Sequence, residues 1–245
     1  TSHIIGSSDI DGKGLSGIER GLQNQLDSGE NINLSIDVRI QNSTRNELIK
    51  TIQKFSAKLG SAIVMDITSG EILSMVNYPD FDPNKNDKLM TKNNFNNATQ
   101  GVFEMGSTFK PITMAIGLDK NIVDLEMLFD VSEPINLGKK YKINDFNPYK
   151  GQLDIKGIIV KSSNIGTAKI AKKIGKKNQE EYFKRLGFFE KIDLELQETQ
   201  KPLPPNHWKL IETMTIGYGH GFAVTPLHLC KAYASLVNGG FRVSP

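Results

Sequence analysis

The fold centres on the stretch F-E-M-G-S-T-F-K-P-I, residues 103–112. It predicts a turn followed by a buried helix to about Leu118, with Pro111 in the first turn, where a missing N–H is not needed. Ser107 and Lys110 are three residues apart and would share one helix face. The positive end of the helix dipole favours a serine alkoxide, and burial lowers the pKa of a lysine, so the pair could act as nucleophile and base. The alternative is that Ser107 only caps the helix.

Length and composition are those of an ordinary globular protein. The 245 residues suffice for one large domain or two small ones, and 38% are hydrophobic and 23% charged. The net charge of +3 comes with scattered lysines, so nucleic acid is not an expected partner. No apolar run approaches the roughly 18 residues of a membrane span. The single cysteine, Cys230, excludes an internal disulfide and is expected to be buried. The spacing of the four histidines predicts no metal site.

The first hundred residues predict a linker, a helix and a hairpin. Residues 1–30 are polar and Gly-rich and resemble a linker, so the main domain is predicted to span residues 31–245. Asp37 suits the N-cap of a helix, and Tyr78–Gln100, rich in Asn and Lys, reads as a solvated loop. Alternating apolar residues predict a short strand at Ile32, Leu34 and Ile36. Apolar residues at helical spacing predict one buried helix face, formed by Leu48, Ile52, Phe55 and Leu59. Two apolar runs, 62–65 and 72–76, predict a hairpin whose strands are buried on both faces.

The second half of the chain predicts mainly helices. A helix over Asp154–Gly175 is interrupted near residues 161–164, and a further helix runs from Gln179 to Leu186. The glycines of residues 216–221 imply a close approach to another backbone. The remaining predictions are Trp208 packing over the core, a last helix capped by Thr225 that ends near Gly239, and a strand beginning at Phe241 and Val243.

A second motif is Ser162-Ser163-Asn164, which alone is typical of a turn or a helix start. Together with the upstream S-x-x-K it forms a pairing found in penicillin-binding proteins and serine β-lactamases. Five segments resemble class B penicillin-binding proteins, in that family's order, and the septal cell-division transpeptidase is the most similar member. They are G-L-S-G-I-E-R-G-L, I-V-M-D-I-T-S-G-E-I-L-S-M-V-N-Y-P-D-F-D-P-N, F-E-M-G-S-T-F-K, K-S-S-N-I-G-T-A and G-Y-G-H-G-F-A-V-T-P-L-H-L.

The resemblance implies a role for each motif residue in a peptidoglycan D,D-transpeptidase. Ser107 would attack the D-Ala–D-Ala carbonyl of a stem peptide and form an acyl-enzyme, and its N–H would supply half of the oxyanion hole. Lys110 would be the general base, and Ser162 would relay a proton to the leaving D-alanine. Asn164 would hold Lys110 and the amide of the donor peptide. β-Lactam antibiotics would acylate Ser107, and no metal or other cofactor is implied.

The resemblance also implies a fold and a location. The expected fold is α+β, the penicillin-binding transpeptidase (serine β-lactamase-like) fold, in which helices cover both sides of an antiparallel sheet. The expected location is the periplasmic face of the bacterial inner membrane, with a single-pass N-terminal anchor and divisome membrane proteins as partners. Residues 1–30 would be the end of the N-terminal pedestal domain.

One departure from the family pattern concerns a third motif, K-T-G, which does not occur in the sequence. In the family it lies on a strand well beyond the S-x-N motif, where it contributes to the oxyanion hole and to carboxylate binding. The resemblance therefore implies that part of the sheet and of the active site, and the membrane anchor, lie outside this sequence. It further implies that the 245 residues alone would be weakly active or inactive.

Two other functions are compatible with the same fold. A β-lactamase or a D,D-carboxypeptidase would resolve the acyl-enzyme with water, but the segment G-L-S-G-I-E-R-G-L disfavours both. A non-catalytic divisome scaffold would keep the fold as an interaction surface, and the intact S-x-x-K and S-x-N motifs disfavour it.

Overall fold

The computed structural model describes residues 1–83, 94–138 and 141–245. The chain forms two compact units, each assembled from separate stretches of sequence. The first comprises Thr1–Val102, Glu190–Lys201 and Thr225–Pro245, and the second comprises Phe103–Phe189 and Pro202–Val224. Residues 1–30 belong to the first unit. The predicted boundary between a pedestal segment and a transpeptidase domain stays a prediction.

The first unit combines short helices, two longer helices and two antiparallel strand pairs. Its helices are Ser2–Ile5, Gly17–Gly21, Gln23–Asp27, Val38–Phe55 and Pro226–Val237, and its strands are Ser7–Ser8, Gly14–Ser16, Gly60–Met65 and Ile72–Tyr78. The first two strands pair with each other and the last two form the predicted hairpin. Thr225 caps the last helix by accepting a hydrogen bond from the His228 N–H, as predicted. Cys230 is half-buried, and this burial raises the pKa of its thiol.

The hairpin follows the predicted pattern on one strand. Ile72–Tyr78 is largely buried, with Met75 2% exposed, whereas every residue of Gly60–Met65 is only half-buried. The prediction that both strands are buried is therefore wrong for the first strand. The turn between them is built by the Asp66 carboxylate, which accepts hydrogen bonds from the N–H groups of Thr68 and Ser69 at 2.7 and 2.9 Å.

The helix Val38–Phe55 packs against the hairpin through a buried amide. Asp37 caps it as predicted, accepting from the Arg39 N–H at 2.8 Å. The Gln41 side chain donates to the Met75 carbonyl and accepts from the Met75 N–H, both at 2.9 Å. The prediction of a buried apolar face on this helix is only partly correct. Ile52 is buried, but Phe55 is 69% exposed and Leu59 lies beyond the end of the helix.

Two predicted strands are wrong. Residues 32–36 form no strand, although Leu34 and Ile36 pack against the buried core of the unit. Residues 241–245 form no strand either, because the Asn238 side chain accepts from the Phe241 N–H and donates to its carbonyl, which closes a turn.

The predicted solvated loop at residues 78–100 falls partly outside the described residues. Within its described part, residues 96–99 are buried, which contradicts the prediction. The Asn77 side chain holds them in place by donating to Asn96 Oδ1 and accepting from the Ala98 N–H, both at 2.9 Å.

The second unit contains helices and short strand pairs. The helices are the 3-10 turn Gly106–Phe109 and the α-helices Lys110–Asp119, Ile155–Lys161, Asn164–Arg185 and Leu210–Ile216, and the strands are Phe103–Glu104, Phe129–Asp130, Ile135–Leu137, Tyr141–Ile143, Gln152–Leu153 and Ala223–Val224. The strands that are described here pair antiparallel, two by two. The helix Asn164–Arg185 contains a non-helical residue, Gly175 (φ 74°), where the sequence predicted one helix to end.

The core of the second unit is an aromatic cluster around Phe183. Its ring centroid lies 5.8 Å from that of Phe109, 5.3 Å from Phe188 and 5.2 Å from Phe222, and all four side chains are fully buried. Trp208 packs on the cluster at 5.8 Å from Phe183, as predicted. Phe109 precedes Lys110 directly, so the cluster anchors the segment that the sequence marks as functional.

No helix in the described part of the chain is both long and apolar enough to span a bilayer.

We expect Phe183→Ala to destabilise the protein by about 3–5 kcal/mol, because it removes a fully buried ring and leaves a cavity. The matched control is Phe146→Ala, which removes a ring that is 95% exposed and should change stability by no more than about 0.5 kcal/mol. Urea unfolding of both variants measures the difference. Equal losses would mean that the aromatic cluster is not the core of the unit.

Candidate active site

The Ser107 hydroxyl is exposed at the start of the predicted helix. Ser107 lies in the 3-10 turn Gly106–Phe109, which leads directly into the α-helix Lys110–Asp119. The predicted helix is therefore present, with its first turn in the 3-10 form. Ser107 caps neither element: their N-cap residues are Met105 and Phe109, and neither of these makes a side-chain cap. Its Oγ instead accepts a hydrogen bond from the Ser162 hydroxyl at 3.1 Å.

Ser162 joins Ser107 to Lys110. The Lys110 ammonium donates to Ser162 Oγ at 2.8 Å and to the Ser162 carbonyl oxygen at 2.5 Å. In the part of the chain that the structure describes, no direct hydrogen bond links Lys110 to Ser107. The structure therefore brings three of the four predicted residues into one hydrogen-bonded chain, with Ser162 in the middle.

Burial changes the acidity of Lys110. The residue is 2% exposed, and the loss of hydration lowers the pKa of its amine to about 8, although the Asp145 carboxylate acts in the opposite direction. With that pKa, roughly a tenth of the amine is neutral at pH 7, whereas an ordinary lysine is almost entirely charged. A neutral amine in this position can accept a proton from Ser162 or, through it, from Ser107.

The Ser162 turn separates two helices, as the sequence predicted. The helix Ile155–Lys161 ends at Ser162, whose φ of 52° is left-handed and unusual for a residue other than glycine. Ser163 then caps the helix Asn164–Arg185 by accepting from the Gly166 N–H at 2.9 Å. The turn presents both the carbonyl and the hydroxyl of Ser162 to the same amine.

Asn164 contacts a different group from the one expected. Its side-chain nitrogen donates to the Asn144 carbonyl at 3.0 Å, and no hydrogen bond between the described residues joins it to Lys110. Its predicted contact with Lys110 is therefore not seen.

Two buried residues to which the sequence assigned no role hold this turn, one inside the S-x-N motif and one outside it. Asp145 is 9% exposed and accepts from Ser163 Oγ at 2.7 Å and from the Ile165 N–H at 2.9 Å. Ser163 is 1% exposed. A serine inside S-x-N with an adjacent helix is a recognisable N-cap signal, but nothing in the sequence marks Asp145 as its partner.

The glycine-rich segment approaches the Ser107 turn closely, as predicted. The Gly106 N–H donates to the Gly219 carbonyl at 3.2 Å, and a Cβ on Gly219 would lie 2.1 Å from the Gly106 oxygen. The Glu104 carboxylate accepts from the Gly221 N–H at 2.8 Å and lies 3.2 Å from His220 Nδ1. These contacts fix the backbone on the N-terminal side of Ser107.

In residues 1–83, 94–138 and 141–245, no group of three or more His, Cys, Asp or Glu side chains could hold a metal ion.

Comparison with known proteins identifies the family of the chain. The model of the penicillin binding protein transpeptidase domain matches residues 60–245. The chain therefore belongs to the penicillin-binding protein transpeptidase family, and the resemblance to its class B members is confirmed.

Curated relatives match nearly the whole chain. It is 38% identical over 244 residues to the probable peptidoglycan D,D-transpeptidase FtsI of Caulobacter vibrioides, covering 98% of this chain and 41% of that protein. It is 30% identical to the probable peptidoglycan D,D-transpeptidase PenA of Neisseria gonorrhoeae and 29% identical to the peptidoglycan D,D-transpeptidase FtsI of Escherichia coli K12, covering 98% of this chain and 46% and 45% of those proteins. The chain thus spans less than half the length of these relatives.

Solved structures confirm the predicted fold class. The apo transpeptidase domain of penicillin-binding protein 3 from Burkholderia pseudomallei matches with a TM-score of 0.74 and 32% identity, covering 84% of this chain and 58% of that one. A crystal structure described as a peptidoglycan glycosyltransferase from Burkholderia ambifaria matches with a TM-score of 0.75 and 31% identity, covering 86% of this chain and 63% of that one.

We expect Gly219→Ala to destabilise the protein more than Gly221→Ala. Both residues have a left-handed φ, 85° and 87°, so a side chain costs about 1–2 kcal/mol at either position. Only at Gly219 does the new Cβ also collide with the Gly106 backbone, whereas at Gly221 its nearest neighbour lies 3.7 Å away. Free energies of unfolding test this, and equal losses in the two variants would show that the close approach is not a constraint.

Proposed function

We propose that the chain is the catalytic part of a peptidoglycan D,D-transpeptidase that cross-links stem peptides through an acyl-enzyme on Ser107. The observation that carries the proposal is the hydrogen-bonded chain from the buried Lys110 through Ser162 to the exposed Ser107. The relatives' names support the reaction class, and the family's name supports penicillin as a ligand. Septal cell-wall synthesis is the proposed setting, because two of these relatives are named FtsI and the motifs resemble the septal enzyme.

In the proposed acylation, Ser107 Oγ attacks the carbonyl carbon between the two terminal D-alanines. The neutral Lys110 amine takes up the Ser107 proton through Ser162, which is the residue that contacts both. The C–N bond then breaks, and the leaving D-alanine amine receives a proton back along the same path. An amine of a second stem peptide attacks the ester carbonyl, forms the cross-link and releases Ser107.

Asn164 and the Ser107 N–H complete the proposed site. Because the Asn164 amide nitrogen donates to Asn144, its side-chain oxygen is the group proposed to accept a hydrogen bond from the donor peptide. The Ser107 N–H is proposed as one oxyanion donor, and a K-T-G strand elsewhere in the protein as the source of the second.

The wider setting rests on the family resemblance. We propose that residues 1–30 end a pedestal domain and that residues 31–245 belong to the transpeptidase domain. The proposed location is the periplasmic face of the inner membrane, with an N-terminal anchor and divisome membrane proteins as partners. A β-lactamase would instead turn over nitrocefin rapidly, and a non-catalytic scaffold would not be acylated at Ser107.

We expect Ser107→Ala to abolish covalent labelling by a fluorescent penicillin in the protein at its natural length. Lys110→Ala should reduce labelling almost as far, because residues that act as one unit lose activity together. Asn164→Ala should have a milder effect, since Asn164 positions the substrate. In-gel fluorescence and the mass of the labelled peptide measure this, with Thr108→Ala as the control for a hydroxyl lost from the same turn. Labelling that survives Ser107→Ala would place the nucleophile elsewhere.

We expect the rate of penicillin acylation to rise with pH, to reach half of its maximum near pH 8 and to level off about one pH unit above that. The reason is that Lys110 must lose its proton to act as a base, and its pKa is lowered to about 8. Second-order labelling rates between pH 6 and 10 measure this. Lys110→Arg keeps the charge but cannot be deprotonated, so it should label very slowly at every pH. A wild-type rate that does not depend on pH would contradict Lys110 as the base.

A further inference from the structure

Asp145 is a buried carboxylate next to the Ser162 turn. Its two oxygens accept different donors, Ser163 Oγ at 2.7 Å and the Ile165 N–H at 2.9 Å. The Ile165 N–H is one of the donors that have no partner within the helix at the start of Asn164–Arg185, where the helix dipole favours a negative charge. The carboxylate is therefore held in one orientation.

These bonds constrain the turn that carries Ser162. Asp145 binds both sides of Asn164, and the neighbouring Asn144 carbonyl accepts from the Asn164 side chain at 3.0 Å. Ser162 lies directly before this clamped segment and has a left-handed φ of 52°. A backbone in that region persists only where its surroundings determine it. The clamp thus fixes where the Ser162 carbonyl and hydroxyl meet Lys110.

Asp145 also acts on Lys110 through its charge. Burial lowers the pKa of Lys110, and the Asp145 carboxylate is the charged group that raises it. Two other lysines on neighbouring elements of the second unit, Lys142 and Lys156, are exposed to solvent, and four further charged side chains have partners of their own. Lys161 lies over the Tyr149 ring, Lys169 donates to the Asp130 carbonyl, Lys120 pairs with Glu181, and Glu104 pairs with His220.

We propose that Asp145 is a positioning residue of the acylation site, which holds the Ser162 turn against Lys110 and acts on the lysine amine through its negative charge. This inference rests on the proposed function. Among the described residues, Asp145 makes no hydrogen bond to Ser107 or to the Lys110 amine. It acts on the site indirectly, by holding Ser163 and the turn in place and by the electrostatic effect of its charge on Lys110.

The test compares Asp145→Asn with Ser163→Ala in penicillin acylation between pH 6 and 10. Asp145→Asn removes the charge, so the half-maximal pH, at which acylation reaches half of its maximal rate, should move below that of the wild type. The maximal rate should also fall about 10–100-fold, because the turn is held less firmly. Ser163→Ala removes one hydrogen bond and keeps the charge, so the rate should fall while the half-maximal pH stays unchanged. A half-maximal pH that is the same in Asp145→Asn as in the wild type overturns the proposal.

A second variant covers the case in which Asp145→Asn does not fold. Asp145→Glu keeps the charge but displaces the carboxylate by one methylene, so it should lower the rate and leave the half-maximal pH near that of the wild type. A wild-type rate for Asp145→Glu overturns the positioning role. If the wild type itself is not acylated on Ser107 at any pH, it is the proposed function that fails.

Discussion

The arrangement of the candidate active site depends on the burial of one amine, that of Lys110. A side chain that is 2% exposed has lost nearly all its hydration, and for a charged group this costs several kcal/mol unless other groups replace the water. Two oxygens of Ser162 and the nearby charge of Asp145 provide that replacement. A shift of the turn would therefore leave a buried cation without acceptors, whereas the turn itself is also held by Asp145 and by the Asn144 carbonyl.

Local signals in the sequence predicted local structure well. Asp37 and Thr225 cap the helices expected of them, and the helix break at Ser162 occurs where the motif placed it. Predictions failed where a side chain that the sequence pattern did not point to forms hydrogen bonds with the backbone N–H and C=O groups. The Asn77 side chain binds the buried residues 96–99, which were predicted to be a solvated loop. The Asn238 side chain closes a turn at Phe241, where a strand was predicted. Alternating hydrophobicity shows which side chains are buried, but it does not show which backbone groups pair.

The candidate site could be predicted only in part, for the same reason. The S-x-x-K and S-x-N motifs name Ser107, Lys110 and Ser162, and the structure brings these together. They do not reveal that Ser162 lies between the other two, since the spacing of Ser107 and Lys110 suggests direct contact. No motif marked Asp145. A carboxylate that binds the start of a helix later in the chain can be recognised only when the fold is known.

The contact between Gly106 and Gly219 consists of main chain alone, and this has an evolutionary consequence. Most contacts near a functional residue can be adjusted in small steps by exchanging side chains, but here neither partner has a side chain and a Cβ on Gly219 would lie 2.1 Å from the Gly106 oxygen. Substitutions of neighbouring residues can change the charge and shape around Ser107 while the spacing of the two backbones stays the same. Descendants of this sequence are therefore expected to move this turn only by inserting or deleting residues in one of the two segments.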